Sequence, residues 1–453
     1  MAKTLIRGGH VLTVDPAIGD LPAGDVLIED DKIAAVAPSI NADAEVIDAT
    51  GFIVIPGFVD THRHTWETAI RNVAPDATLD DYFVEILDTF APHYRAEDVY
   101  NSNLAGALEC LNAGITTLVD WSHINNTPAH PDAGIQALQE TGIRAQYAYG
   151  SANLSLADYW FESSIVIPRS DVQRVRETYF SSDDQLLTMG LATRGPGFCK
   201  DDVVRAEWAM ATELSLPITC HVGMGRMAGR FGMIKQLKDL GLLRAGDTYV
   251  HCCYFSDEEW QLVADSGGLI SIAPQVEQQM GHGYPPVRKA MNYGLRPSFS
   301  IDVVTTVPGD MFTQIRAAFA VERVLENSVF WEKNEPATGL LTARQMLEIA
   351  TLNGAFVAGL EAKTGSLTPG KKADIVLVDA QSINTAPIHD AAAAVTLSAD
   401  VSNVDTVIVD GVVRKRGGKL VADVARARQL VESSKDYLVG AVAAAKAAAP
   451  ASA

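Results

Sequence analysis

The sequence predicts an α/β protein: a (β/α)8 TIM barrel carrying a small β-sandwich domain built from both ends of the chain. Three observations predict it. Eight strand-length apolar runs alternate with amphipathic stretches of helix length. The two ends of the chain read instead as short strands with tight turns. The chain has 453 residues, too many for one ordinary compact domain but suited to a large barrel with an appendage.

The N-terminal strands come first. TLIRGGHVLTV, DVLIEDDKIAAVA and AEVIDATGFIVIP are punctuated by Gly8-Gly9, Glu29-Asp30-Asp31 and Thr50-Gly51, a pattern of hairpins. The barrel runs follow at Ile53–Asp60, Thr116–Ser122, Arg144–Ser151, Leu187–Thr193, Pro217–Gly223, Thr248–Tyr254, Gly268–Gln275 and Arg296–Asp302. Each is nearly continuous in apolar residues, as strands buried on both faces are. A barrel of such strands carries its working groups at their C-terminal ends. A doubly wound open sheet is the alternative, but no G-x-G-x-x-G follows the first strand. Strand texture returns in ADIVLVDAQ and VDTVIVDGVVRKRGGKLV. Neither terminal set is large enough to bury a core alone. Residues 1–56 and 364–423 are therefore expected to form one composite β-sandwich domain, and 57–363 the barrel. Residues 424–453 read as a C-terminal helix with a frayed Ala-rich tail.

Composition narrows the partners. Apolar residues make up 47% and charged residues 20%, which is globular usage. The net charge of −20 is spread along the chain and argues against nucleic acid or an anionic membrane. No apolar run approaches the ~20 residues that span a bilayer, and the first residues do not read as a signal peptide. Cys110, Cys199, Cys220, Cys252 and Cys253 are odd in number and form no CxxC pair, so reduced thiols and a cytoplasmic protein are expected.

The chemistry begins at VDTHRHTWE, where the first barrel run ends. Residues two apart on a strand share a face, so His62 and His64 converge on the barrel mouth while Arg63 points away. Two neutral imidazoles on one face are half of a zinc-type site. PITCHVG places His221 at the end of the fifth run, YVHCCY places His251 on the sixth, and FSID places Asp302 at the end of the eighth. His62, His64, His221 and Asp302 supply three nitrogens and a carboxylate, with a metal position left for water: the open arrangement of a catalytic site.

The lead-in IPGFVDTHRH, then CHVG, VHCCY, SID and the late TPGKKADIVLVD, resembles the amidohydrolase superfamily over nearly the whole chain. Within it the sequence is most similar to the cytosine/guanine deaminase and s-triazine hydrolase-like branch. The resemblance implies one divalent metal, zinc first, with iron, manganese or cobalt as alternatives, bound by His62, His64, His221 and Asp302. It also implies that His251 hydrogen-bonds the water or substrate and that Asp302 takes the water's proton. The fourth run, LLTMGLATRGPG, has no lysine for a carboxylated bridge, which favours one metal. The partners implied are a small heterocyclic substrate and water, in a homodimer or homotetramer.

One departure stands out. Deaminases of this branch usually carry a glutamate three residues after the fifth-strand histidine; this chain has His221-Val222-Gly223-Met224. APQVEQQMGHG resembles the branch's substrate-contacting turn and offers Glu277, either as acid/base or cation-binding group or as a solvated loop carboxylate. Glu67, in HTWETAIR, occupies a position that contacts substrate in relatives. Trp66 reads as a pocket wall or a core residue, and His123 as a substrate hydrogen-bonding group or a loop histidine. His282, in GHGYPP, is a further loop histidine, and Cys252 and Cys253 read as buried thiols. The leading function is cleavage of a C–N bond in a small nitrogen heterocycle. Hydrolysis of a cyclic amide, urea or carbamate, and a metal-free binding barrel, are the rivals.

Overall fold

The computed structural model describes residues 3–153, 164–225, 232–337 and 339–448. The eight barrel strands are all parallel and pair in sequence order: β6 (Phe58–Arg63), β7 (Ile115–Ser122), β8 (Arg144–Tyr149), β9 (Leu187–Thr193), β10 (Ile218–Val222), β11 (Thr248–His251), β12 (Leu269–Ile272) and β13 (Pro297–Phe299). Every residue of β6, β7, β10 and β11 is buried, which is why these runs lack a polar alternation. The first run differs from expectation in one respect. Ile53–Pro56 belongs to the small sheet, and the chain crosses to the barrel at Gly57, where a Cβ would lie 2.0 Å from Thr116 Oγ1. Only glycine permits that close passage.

First and last strands meet at a seam. The Thr61 hydroxyl lies 2.7 Å from those of Ser271 and Ser298 inside the barrel. Above them the backbone closes the ring: Asp302 N–H donates to the His62 carbonyl at 3.0 Å, and His64 N–H donates to the Asp302 carbonyl at 2.9 Å.

The terminal strands form one nine-stranded sheet. N-terminal β1 (Lys3–Val11), β2 (Leu21–Glu29), β3 (Lys32–Ala37), β4 (Glu45–Asp48) and β5 (Phe52–Pro56) join β14 (Ile375–Asp379), β15 (Val404–Val409), β16 (Val412–Arg416) and β17 (Lys419–Leu420) through the β5–β14 pair. Ile6, Val26 and Ile28 from one half share a core with Ile375, Leu377 and Ile408 from the other. Buried Arg144 on β8 ties this sheet to the barrel. Its guanidinium donates to Asp374 at 2.8 and 3.0 Å and to Asp410 at 2.8 Å.

Helices cover the barrel. Asp257–Ser266 shows why: Ser256 and Glu259 form a reciprocal capping box, Gly267 ends the helix at φ 74°, and Trp260 and Val263 face inward. The C-terminal helix Val424–Ala448 buries Ala427, Ser434, Leu438 and Val442, a stripe of helical spacing, against Ala96–Asn112. Residues 449–453, where the frayed tail was expected, lie outside the described residues. Among the described residues no helix is long and apolar enough to cross a membrane.

Candidate metal centre

His62 and His64 leave the end of β6, His221 sits on β10, and Asp302 follows β13 at the seam. Arg63 turns away, as the two-residue period requires, and its guanidinium bonds Glu109. The four ligand atoms lie within 4.8 Å of one another. Three separations are tighter: His62 Nε2 is 3.1 Å from His221 Nε2 and 3.2 Å from Asp302 Oδ1, and His64 Nε2 is 3.3 Å from that same oxygen. Ligands on ~2.0–2.1 Å bonds around an ion that keeps a position open for water stand about 3–4 Å apart, so the donor set fits one divalent ion. Burial pushes the His62 pKa down to about 4 and that of His221 well below the usual histidine range, keeping both lone pairs available. Burial also opposes charge on Asp302, yet its close contacts with His62 and His64 hold its carboxyl well below the ordinary value.

Neighbouring groups set the tautomers. His64 Nδ1 lies 3.0 Å from the Trp121 carbonyl, so it carries the proton and Nε2 faces the cluster. His251 Nδ1 lies 3.2 Å from Glu277 Oε1, and that oxygen also accepts the Ala273 N–H at 2.8 Å. The other nitrogen of His251 faces Asp302 Oδ2 at 3.7 Å. His251 and Asp302 take φ of 77° and 69°, strained values for non-glycine residues that cluster at functional sites.

The remaining candidates fall around this core. Glu277 is no solvated loop carboxylate: it is fully buried in the short helix Pro274–Gln279, behind His251 rather than on the cavity wall. Nor is His123 a loose loop histidine. It is buried, its ring lies 4.4 Å from that of His64, and its Nδ1 receives the Trp66 indole N–H at 3.3 Å. Trp66 packs against Tyr94 and His123 behind the wall. Glu67 accepts the Tyr82 hydroxyl at 2.5 Å, and burial raises its pKa to about 7; Tyr82, not Glu67, lines the cavity. Cys252 is buried, as expected, and burial pushes the thiols of Cys252 and Cys253 well above the ordinary range.

The cavity holds about 370 Å³ of open space including its mouth. His64, His221, Asp302, His123, His251 and His282 form one end, and Leu79, Phe83, Leu87, Met224, Met280 and Val303 supply apolar wall. Met224 therefore stands in the wall three residues after His221, where the branch usually has glutamate. His282 gave little signal in the sequence, yet it is buried and stacks edge-on at 4.6 Å against His251. The flanking Gly281 and Gly283 were its one clue.

An eight-stranded parallel barrel with three histidines and an aspartate gathered at the strand ends defines a metal-dependent hydrolase. Residues 53–414 match the amidohydrolase family, and the chain belongs to it. Its reaction class is hydrolysis of C–N bonds other than peptide bonds. The chain is 29% identical to a 5'-deoxyadenosine deaminase of Methanosarcina acetivorans, over 91% of this chain and 92% of the relative. It is likewise 29% identical to a 5-methylthioadenosine/S-adenosylhomocysteine deaminase of Symbiobacterium thermophilum, over 91% and 93%. Among solved structures it is similar in fold to an atrazine chlorohydrolase from Arthrobacter aurescens complexed with zinc, at TM-score 0.84 and 24% identity over 95% and 100% of the two chains. A zinc-bound adenosine deaminase from Xanthomonas campestris superimposes at TM-score 0.83 and 21% identity, over 97% and 99%.

Proposed function

We propose that this chain is a mononuclear zinc-type aminohydrolase that replaces an amino substituent on a small nitrogen heterocycle with oxygen. The convergence of His62, His64, His221 and Asp302, all within 4.8 Å and with three separations of 3.1–3.3 Å, carries the reading. Those four residues would hold the ion. The chemistry a divalent metal would supply there is a lowering of the pKa of water from ~15.7 to about 7, which would make a nucleophile available at neutral pH. Asp302, kept ionised by its histidine neighbours, takes the proton of the attacking water and passes it to the leaving nitrogen, so ammonia departs. His251, its Nδ1–H fixed on Glu277, offers Nε2 to orient that water. His123, with Nδ1 between the Trp66 indole N–H and the Trp121 carbonyl, presents Nε2 to the ring, and Glu67 acts on substrate through the Tyr82 hydroxyl it holds.

The deaminase names of the relatives support ammonia as the leaving group, and zinc in the two fold neighbours supports that metal. Met224 favours one second reading. An apolar wall in place of the usual acid suits a substrate that needs no ring protonation, such as a cyclic amide, urea or carbamate. The test is ammonia release by metal-reconstituted enzyme from adenine, adenosine, 5'-deoxyadenosine, guanine, cytosine and amino-s-triazines. We expect release from at least one ring and about one equivalent of bound metal. Release from none, with opening of cyclic amides, moves the enzyme to the second reading. A folded protein that takes up no metal removes the catalytic reading altogether. The same proposal places the enzyme in the cytoplasm as a homodimer or homotetramer, which sizing by light scattering checks.

A further inference from the structure

We infer that His282 is a substrate-contacting specificity residue, whose imidazole hydrogen-bonds a heteroatom of the ring over the metal centre. The inference rests on the heterocycle reading above. His282 is 2% exposed, lines the cavity, and neither ring nitrogen has a hydrogen-bond partner among the described residues. Buried polar atoms are nearly always paired, and an orphan is costly. An imidazole with both nitrogens unmet at a cavity wall is therefore placed for an occupant of that cavity.

The surrounding chain is built to hold it there. Gly225 N–H donates to the His282 carbonyl at 2.9 Å, and Gly283 N–H donates to the Glu277 carbonyl at 3.1 Å. Gly283 takes φ 137°, and a Cβ on it would lie 2.7 Å from Cys253 Cβ. Gly283 cannot be replaced by an ordinary residue without strain and a clash at Cys253. The site imidazoles are packed together, with ring separations of 4.4 Å (His123–His64), 4.7 Å (His64–His62), 4.7 Å (His62–His221), 5.5 Å (His221–His251) and 4.6 Å (His251–His282). His123 and His282 both line the cavity, the first beside His64 and the second beside His251.

A second metal ion is the competing occupant, because His251, His282 and Asp302 also bring ligand atoms within 4.8 Å. Charge argues against it. Asp302 is the one carboxylate among the described cavity-lining residues, and its Oδ1 already serves His62 and His64. Two dications sharing one carboxylate in a dry site lack compensation. A neutral imidazole instead offers one donor and one lone pair, which suits a ring nitrogen, a carbonyl oxygen or an exocyclic N–H.

The experiment compares metal-loaded wild type, His282→Ala and His282→Asn by calorimetric binding of adenine, cytosine and melamine, with metal content and Tm measured alongside. For the tightest probe, His282→Ala is expected to weaken Kd by about tenfold to a hundredfold. Metal content stays unchanged, and His282→Asn, which keeps a donor and an acceptor, recovers part of the loss. A probe in which one ring nitrogen is replaced by CH binds wild type and His282→Ala alike when that nitrogen is the partner. Should His282→Ala not fold, the shift in probe preference of His282→Asn carries the test. Equal Kd in wild type and variants, no binding included, overturns the inference; so does loss of metal from a folded variant. Failure of the proposed function shows separately, as absence of turnover in the wild type.

Discussion

Replacing Glu277 by glutamine and by alanine distinguishes a carboxylate that moves a proton from one that aims a histidine. Glu277 Oε1 meets two buried donors, His251 Nδ1–H at 3.2 Å and Ala273 N–H at 2.8 Å. A hydrogen bond to a charged partner is worth ~1.5–3 kcal/mol and a neutral one ~0.5–1.5. Glutamine keeps an acceptor but loses the charge, a difference of about 1–1.5 kcal/mol, or roughly tenfold in kcat. Alanine leaves both donors unmet in a fully buried place at ~1–3 kcal/mol each. Part of that cost falls on stability and part on the aim of His251, so kcat drops about a hundredfold or more while KM stays near its wild-type value. Steady-state kinetics on the best panel substrate, with metal content and Tm recorded for each variant, make the comparison. Glutamine as damaging as alanine at equal metal content refutes the positioning role and makes Glu277 a proton carrier.

Three further outcomes follow from the same geometry. Chelation abolishes activity and lowers Tm, since an ion at ~1,000 times its Kd stabilises by about 4 kcal/mol, and His221→Ala neither retains metal nor responds to chelator; an unchanged melting curve after verified metal removal contradicts this. Arg144→Met strands buried Asp374, while Asp410 keeps Lys372 at 3.5 Å, and is expected to cost ~3–5 kcal/mol in urea unfolding, with a loss under about 1 kcal/mol counting against the tie between sheet and barrel. Glu322 accepts the Arg288 N–H at 3.0 Å, and burial raises its pKa from 4.5 to about 7. A raised carboxyl pKa favours the folded state fully below the unfolded value and loses that advantage as pH climbs through 7. The stability gap between Glu322→Gln and wild type therefore shifts toward the variant by about 2–3 kcal/mol between pH 4.5 and pH 8, and a flat difference over that range disproves the assignment.

The barrel was legible because parallel strands buried on both faces must be apolar throughout, and a continuous run is hard to mistake. The same continuity hid the junction at Gly57: Ile53–Pro56 and Phe58–Asp60 are equally apolar, though one serves the small sheet and the other the barrel. The last strands are shorter than their runs, because Pro274 starts a helix after Ile272 and the chain leaves β13 at Phe299. His62, His64, His221 and Asp302 stood out because strand ends place them together with little help from side-chain packing. Glu277 read two ways, as an acid/base or cation-binding group or as a solvated carboxylate, because its neighbours Gln278 and Gln279 are polar, and its burial depends on the packing of Pro274–Gln279 beside His251. His282 depends on two glycine conformations and on Gly225, far away in sequence. No local periodicity encodes such a contact.

The seam between the first and last strands has a consequence for how the enzyme comes into being. His62 and Asp302 are separated by 240 residues, yet their backbones stitch the ring shut and their side chains face one another across the stitch. No fragment ending before residue 302 can contain the site, however well its earlier strands assemble. Ring closure over so long a stretch is slow, so the finished cluster reports that the topology is complete. A nascent or truncated chain has only loose imidazoles, and reactivity is withheld until the last strand is home.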